Sequence, residues 1–116
     1  MKKELLLFLT LALVFILTTA YAHPPRDISI TFDPTTKMLS AVIFHDVANP
    51  VPHHIKEVDV YLNNKKIIQH LISIQDNHQT QTVAYLIPDT HSGDILAVEA
   101  FCSLYGSLKK QITLNK

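Results

Sequence analysis

The fold of this 116-residue chain is indicated most clearly by the stretch IKEVDVYLNN, residues 55–64. Apolar and polar side chains alternate as far as Leu62, which is typical of a β-strand with one face on a hydrophobic core. The two asparagines that follow tolerate left-handed backbone angles, so we predict a hairpin turn into a second strand over residues 65–74. Glu57 and Asp59 are expected on the solvated face of the first strand.

The same alternation recurs on both sides of this hairpin, with turn residues between the tracts. Five further strands are predicted, at residues 27–32, 38–45, 80–87, 94–102 and 108–114. Residues 46–52 must form a loop, because Asn49-Pro50 and Pro52 deny both helix formation and ladder pairing. About seven short strands predict an all-β domain, an immunoglobulin-like antiparallel β-sandwich or barrel that spans residues 23–116.

The first residues read as an export signal. Lys2 and Lys3 precede an uncharged apolar run, residues 5–17, and Ala20-Tyr21-Ala22 has the form of a cleavage site. We therefore predict a cleaved signal peptide over residues 1–22 and a secreted or periplasmic protein. The alternative is an uncleaved membrane anchor, but the apolar run is shorter than the roughly 20 residues that cross a bilayer. Once the signal peptide is removed, no stable membrane anchor is expected.

The charge balance and the cysteine content limit the functions available. Without Lys2, Lys3 and Glu4 the domain keeps eight basic and nine acidic side chains, a balance that indicates no nucleic-acid partner. Cys102 is the one cysteine, so an intrachain disulfide is excluded. Its thiol can be buried, paired with another chain or bound to a metal, and these alternatives stay open.

The chain has seven histidines, and three of them, His45, His53 and His54, border the loop at residues 46–52. His23 would become the mature N-terminus and offer an α-amine and an imidazole together. Imidazole and thiolate suit iron, zinc or copper, whereas calcium and magnesium prefer oxygen ligands. A polar loop without metal is the alternative. The remaining histidines are expected at the solvated surface; they are His70, His78 and His91.

The order of these residues resembles a known family. The chain has His23-Pro24-Pro25, then His45 at a strand end, then His53-His54-Ile55, and finally Cys102-Ser103-Leu104-Tyr105-Gly106. This order is similar to that of the iron-binding domain of superoxide reductases and desulfoferrodoxins. The resemblance implies an immunoglobulin-like barrel with a mononuclear iron, bound by four imidazoles and one axial thiolate, that reduces superoxide to peroxide.

Carried over residue by residue, the resemblance implies His23, His45 and His53 as imidazole ligands and Cys102 as the axial thiolate. Tyr105 stands where the family has its fourth histidine. An alternative alignment puts Asn49-Pro50, rather than His45, at a ligand position. The family's Glu-Lys pair before the first ligand has no counterpart here.

Three functions follow as hypotheses. The first is an exported iron-binding redox protein of superoxide reductase type, an oxidoreductase if the site is intact. The second is a copper or zinc protein that uses an N-terminal His23. The third is a non-catalytic β-sandwich module, for binding or structure, that has lost part of the metal site. The electron donor and the oligomeric state, a homo-oligomer included, stay open.

Overall fold

The computed structural model describes residues 22–115, which form seven β-strands. The strands are β1 (Asp27–Asp33), β2 (Met38–Phe44), β3 (Ile55–Leu62), β4 (Lys65–Leu71), β5 (Thr80–Leu86), β6 (Ile95–Cys102) and β7 (Ser107–Thr113). The predicted signal peptide lies outside the described residues, apart from Ala22. Within residues 22–115 there is no helix with the length and apolar character that crossing a membrane requires.

The strands form two antiparallel sheets. One has the order β1-β2-β5 and the other the order β4-β3-β6-β7. Lys110 of β7 bonds to Asp27 of β1 at 2.8 Å, which joins the two sheets along one side. The prediction of an all-β, sandwich-like domain of about seven strands is confirmed.

The hydrophobic core is formed by the alternating apolar side chains of both sheets, as the period of two requires. β2 alternates along its whole length, whereas β3 has three consecutive buried residues, Val58, Asp59 and Val60. The apolar side chains at no more than 2% exposure are Ile28, Leu39, Ala41, Ile43, Ile55, Val58, Val60, Leu96, Val98 and Ala100. Burial of these side chains is the main force that holds the sheets together.

The predicted strand bounds are wrong by a few residues at several ends. The strand predicted over residues 65–74 ends at Leu71, although one further main-chain bond to β3 follows, from the N–H of Ile72 to the carbonyl of Lys56. His45 lies just beyond β2, with its main-chain N–H donated to the carbonyl of Gln79. Apolar character continues past such ends, so alternation alone does not locate them.

Asp59 contradicts the expectation of a solvated face on β3. Its side chain is 1% exposed, and Lys66 of the neighbouring strand β4 places its Nζ 3.0 Å from Oδ2 of Asp59. The lysine therefore covers and neutralises the carboxylate, which a pattern of apolar and polar residues along one strand does not reveal.

The sandwich has two ends of different character. The histidine end is formed by residues 22–26, 45–54, 72–79 and 103–106, and the turn end by residues 34–37, 63–64 and 87–94. Because β1, β2 and β3 are antiparallel to their neighbours, the segments before β1, after β2 and before β3 all meet at the histidine end.

Candidate metal centre

Three histidines converge at the histidine end from segments that are far apart in sequence. His45 follows β2 directly, and His53 precedes β3 by two residues. His23 lies on the segment before β1, where the pairing of Asp27 with Phe44 brings the start of β1 beside the end of β2. The antiparallel register thus places all three rings at one point of the fold.

The three rings are close enough for one ion. One ligand atom from each of His23, His45 and His53 lies within 4.8 Å of the other two. The ring centroids are 5.0 Å apart for His23 and His45, 5.2 Å for His23 and His53, and 4.8 Å for His45 and His53. Even at that upper limit, each nitrogen needs to move only about 0.7 Å inward to reach the roughly 2.1 Å of a metal–imidazole bond.

His45 is the buried member of this cluster, with no exposed surface. Its Nδ1 lies 2.9 Å from Oε1 of Gln75, and its Nε2 lies 3.3 Å from the main-chain oxygen of His23. Burial lowers the pKa of His45 below its ordinary value of 6.5, and the hydrogen bond to Gln75 opposes this only in part. His45 is therefore neutral at pH 7, which is the form that binds a metal.

His53 has a ring nitrogen with no partner. Within residues 22–115 nothing hydrogen-bonds to its buried Nε2. Burial lowers the pKa of His53 too, and the neighbouring imidazoles of His45 and His23 lower it further. A buried polar atom left unpaired lowers stability by about 1–3 kcal/mol, so an ion bound to this nitrogen would recover that loss.

His23 is held in place by main-chain carbonyls. Its Nε2 lies 2.9 Å from the oxygen of Asp46, and its Nδ1 lies 3.0 Å from the oxygen of Pro24. A carbonyl only accepts and a neutral imidazole carries one N–H, so only one of these contacts is a hydrogen bond in neutral His23, and the bare nitrogen reaches an ion only if the ring turns from the other carbonyl. Arg26, paired with Asp46 at 3.0 Å, fastens the same segment to the end of β2.

Cys102 lies at the same end but apart from the three imidazoles. It is 3% exposed and pairs with Ile55, the first residue of β3. Its Sγ accepts the N–H of Leu104 at 3.4 Å. The group of converging ligand atoms found among residues 22–115 contains the three histidines and not this sulfur.

The turn after Cys102 reaches the segment that bears His23. Gly106 has a φ of 79°, and a Cβ there would lie 3.0 Å from Cβ of Pro24, so the turn packs directly on Pro24. Tyr105, at the position of the family's fourth histidine, is 65% exposed. The phenol therefore lies at the surface of the turn.

The other sequence-based candidates are distributed as follows. Asn49 accepts the N–H of Val51 at 3.1 Å and so stabilises a turn, whereas His45 lies in the cluster. His54 is tied to the Cys102 turn, with its main-chain N–H donated to Oγ of Ser103 at 3.1 Å. The three histidines expected at the surface are exposed, as predicted; they are His70, His78 and His91.

Gln75 is the residue at this site that the sequence analysis missed. It is 2% exposed and contacts His45 through both its side-chain oxygen and its side-chain nitrogen. A lone glutamine in a polar connector carries no sequence signal for such a position, because its burial depends on how the connector folds back over β2 and β3.

The donor set fits a transition metal. Three imidazoles, of which two are held neutral, suit zinc, copper, iron or nickel, and no carboxylate from residues 22–115 joins the group to favour calcium or magnesium. The unpaired Nε2 of His53 supports the same interpretation.

The comparisons with known proteins add no relative. No family model matches the chain, and neither the curated proteins nor the solved structures contain a significant match. The superoxide reductase resemblance therefore stays a prediction, and function has to be argued from the site alone.

Proposed function

We propose that this protein binds one transition-metal ion through His23, His45 and His53. The observation that carries the proposal is the convergence of the three ligand atoms within 4.8 Å around an unpaired, buried imidazole nitrogen. The rings contact one another edge to face, but no hydrogen bond from residues 22–115 replaces the hydration that the buried Nε2 of His53 has lost. An ion among them accepts a lone pair from each ring.

A thiolate ligand would extend this site toward redox chemistry. Cys102 is buried at the same end, and its sulfur accepts the N–H of Leu104 at 3.4 Å. These observations favour, as the second candidate, the iron-dependent reduction of superoxide that the resemblance implies. Iron bound by imidazoles and a thiolate supplies a one-electron reductant whose potential depends on those ligands.

In the redox candidate, the residues around Cys102 have specific roles. Cys102, the last residue of β6, would supply the thiolate, and the turn at residues 103–106 that follows it borders the sulfur. Leu104 holds the sulfur through its amide. Gly106 packs on Pro24, so the turn that follows Cys102 is in contact with the segment that bears His23.

Copper or zinc remains the alternative to iron, and the main chain of His23 makes it testable. The carbonyl oxygen of His23 lies 3.3 Å from Nε2 of His45, so the backbone of this residue borders the cluster. If cleavage frees its α-amine, copper should bind about tenfold more tightly to protein that starts at His23 than to protein that starts at Ala22. Equal affinities would remove the amine from the site.

Metal titration tests the main proposal. We expect residues 23–116, freed of metal by a chelator, to bind one equivalent of Zn²⁺, Cu²⁺ or Fe²⁺ in calorimetry. His45→Ala and His53→Ala should each weaken binding at least about 100-fold, since each removes a ligand. His91→Ala is the matched control, because His91 lies at the turn end with 84% of its side chain exposed.

Two outcomes separate the candidates. Wild-type affinity in both His45→Ala and His53→Ala would contradict metal binding at this site and leave the non-catalytic β-sandwich module. For the redox candidate, the iron-loaded protein should show a thiolate-to-iron absorption band that Cys102→Ala abolishes, together with consumption of superoxide. An iron-loaded protein without the band would exclude the thiolate ligand.

A further inference from the structure

The buried side-chain hydrogen bonds at the histidine end centre on Gln75. This residue follows β4 in the connector at residues 72–79 and is 2% exposed. Its Oε1 lies 2.9 Å from Nδ1 of His45 and accepts the N–H of Ile55 at 3.2 Å. Its Nε2 donates to the carbonyls of His45, at 2.8 Å, and Asn77, at 2.9 Å.

These contacts determine which way the amide of Gln75 faces. Main-chain carbonyls only accept hydrogen bonds, and a main-chain N–H only donates one. The amide NH₂ must therefore face the carbonyls of His45 and Asn77, and the amide oxygen must face Ile55. A flipped amide would oppose like groups at all three contacts.

The orientation of Gln75 in turn decides where His45 carries its proton. Nδ1 of His45 faces an oxygen that only accepts, so Nδ1 must be the protonated nitrogen. A neutral imidazole has one N–H, and its other nitrogen then carries the lone pair. That nitrogen is Nε2: its contact with the carbonyl oxygen of His23, at 3.3 Å, is longer than the 2.9 Å contact of Nδ1 with Gln75, so the single proton goes to Nδ1 and the Nε2 contact is not a hydrogen bond.

We propose that Gln75 is a positioning residue that holds His45 in its Nδ1–H form and so selects Nε2 of His45 as the metal ligand. The ligand role rests on the proposed function, whereas the tautomer of His45 does not. A second effect comes from the same amide: by bonding to His45 and to Ile55, Gln75 ties the end of β2 to the start of β3. His53 lies two residues before Ile55, so Gln75 also sets the spacing of two ligands.

The tautomer can be measured without metal. In metal-free protein at pH 7.5, ¹⁵N NMR of the histidine rings should show His45 with a protonated Nδ1 and a bare Nε2. Gln75→Met keeps the size of the side chain and removes its hydrogen bonds. We expect this variant to lose the single Nδ1–H form and to bind Zn²⁺ about 10–100-fold more weakly than wild type.

Gln81→Met is the matched control. Gln81 is also a buried glutamine, 5% exposed, and it bonds to the same connector through Asp76, but its hydrogen bonds go to Asp76 and Thr82 rather than to His45. This variant should keep the tautomer of His45 and a Zn²⁺ affinity within about threefold of wild type. An equal loss of affinity in Gln81→Met would overturn the proposal, since general loosening of the connector would then explain both variants.

Further outcomes keep the two proposals distinguishable. A wild-type spectrum with a protonated Nε2 and a bare Nδ1 on His45 overturns the role of Gln75, whether or not any variant folds. A Gln75→Met protein with an unchanged tautomer and affinity overturns it as well. If wild type shows the expected tautomer but binds none of the three metals, the tautomer assignment stands and the proposed function fails.

Discussion

The two ends of the sandwich satisfy their polar groups in opposite ways. At the turn end, Asn63 donates to Asp94 at 3.0 Å and accepts the N–H of Ile95 at 2.9 Å, and His91 donates its main-chain N–H to Asp94 at 2.8 Å. Among residues 22–115, no buried side-chain nitrogen or oxygen of the turn end lacks a hydrogen-bond partner. At the histidine end, buried ring nitrogens of His53 and His54 have no hydrogen-bond partner within residues 22–115.

This difference shows at which end of the fold buried nitrogens are left without hydrogen-bond partners. Buried polar groups are normally paired, and an unpaired group lowers stability. The turn end closes on itself and connects strands, whereas the histidine end directs three lone-pair donors at one point. The same strands therefore support both ends, but only the histidine end is arranged to accept something further.

The largest expected contrast between the ends is in the stability of metal-free protein. His45→Ala should lower the free energy of unfolding by about 2–4 kcal/mol, because it leaves a cavity and removes the buried hydrogen bond between the imidazole and Gln75. His91→Ala should change it by less than about 0.5 kcal/mol, since His91 is exposed. Urea denaturation measures both, and similar losses for the two would contradict the contrast.

A pair of glycines gives the next largest effect. Gly106 and Gly93 both have positive φ, 79° and 91°, so alanine at either position should cost about 1–2 kcal/mol of stability. Gly93 has nothing within 4 Å of an added Cβ, whereas at Gly106 the Cβ would press on Pro24. Only Gly106→Ala should therefore also weaken metal binding, by about tenfold, through displacement of His23. An equal effect of both variants on affinity would show that the turn does not support His23.

His53→Phe should abolish metal binding with a smaller effect on stability than the preceding variants. Replacing the ring with an apolar one of similar size removes the unpaired Nε2, so metal-free stability should stay the same or rise by up to about 1 kcal/mol. Metal binding should be lost in the same variant. A marked loss of metal-free stability would show instead that the imidazole of His53 has a structural partner.

The smallest expected difference between the two ends is in how each contributes to the pH dependence of the stability of metal-free protein. Burial lowers the pKa of His45 and His53 below 6.5, so as pH falls below 6.5 the unfolded chain takes up protons that the folded chain resists. The free energy of unfolding should decline there until the pH reaches the folded-state pKa values. At the turn end, hydrogen bonds from Asn63 and His91 lower the pKa of Asp94 below 3.8, so its contribution is lost only at still lower pH.

Two variants test which residue causes the loss of stability in each of these pH ranges. His53→Phe should flatten the decline just below pH 6.5, and Asp94→Asn should flatten the one below pH 3.8, both read from urea midpoints in the presence of a chelator. A curve for His53→Phe with the wild-type slope just below pH 6.5 would show that this imidazole does not contribute there.

The sequence by itself determined the strands, because a period of two with turn residues between the tracts is a local property. The hairpin at Asn63-Asn64 illustrates this: both residues have the positive φ predicted for them, 49° and 69°. Export could be proposed from local sequence too, and it stays a prediction. Strand ends and the burial of Asp59 were not predictable in this way, since each depends on a neighbouring strand.

The tertiary structure alone decided how the site is arranged. The sequence named His23, His45 and His53 through a resemblance, but only the antiparallel register brings their rings together. It also separated Cys102 from that group, put Tyr105 at the surface and buried Gln75 against His45. Such relations join residues that are tens of positions apart, and no local pattern encodes them, because distance along the chain does not set distance in the fold.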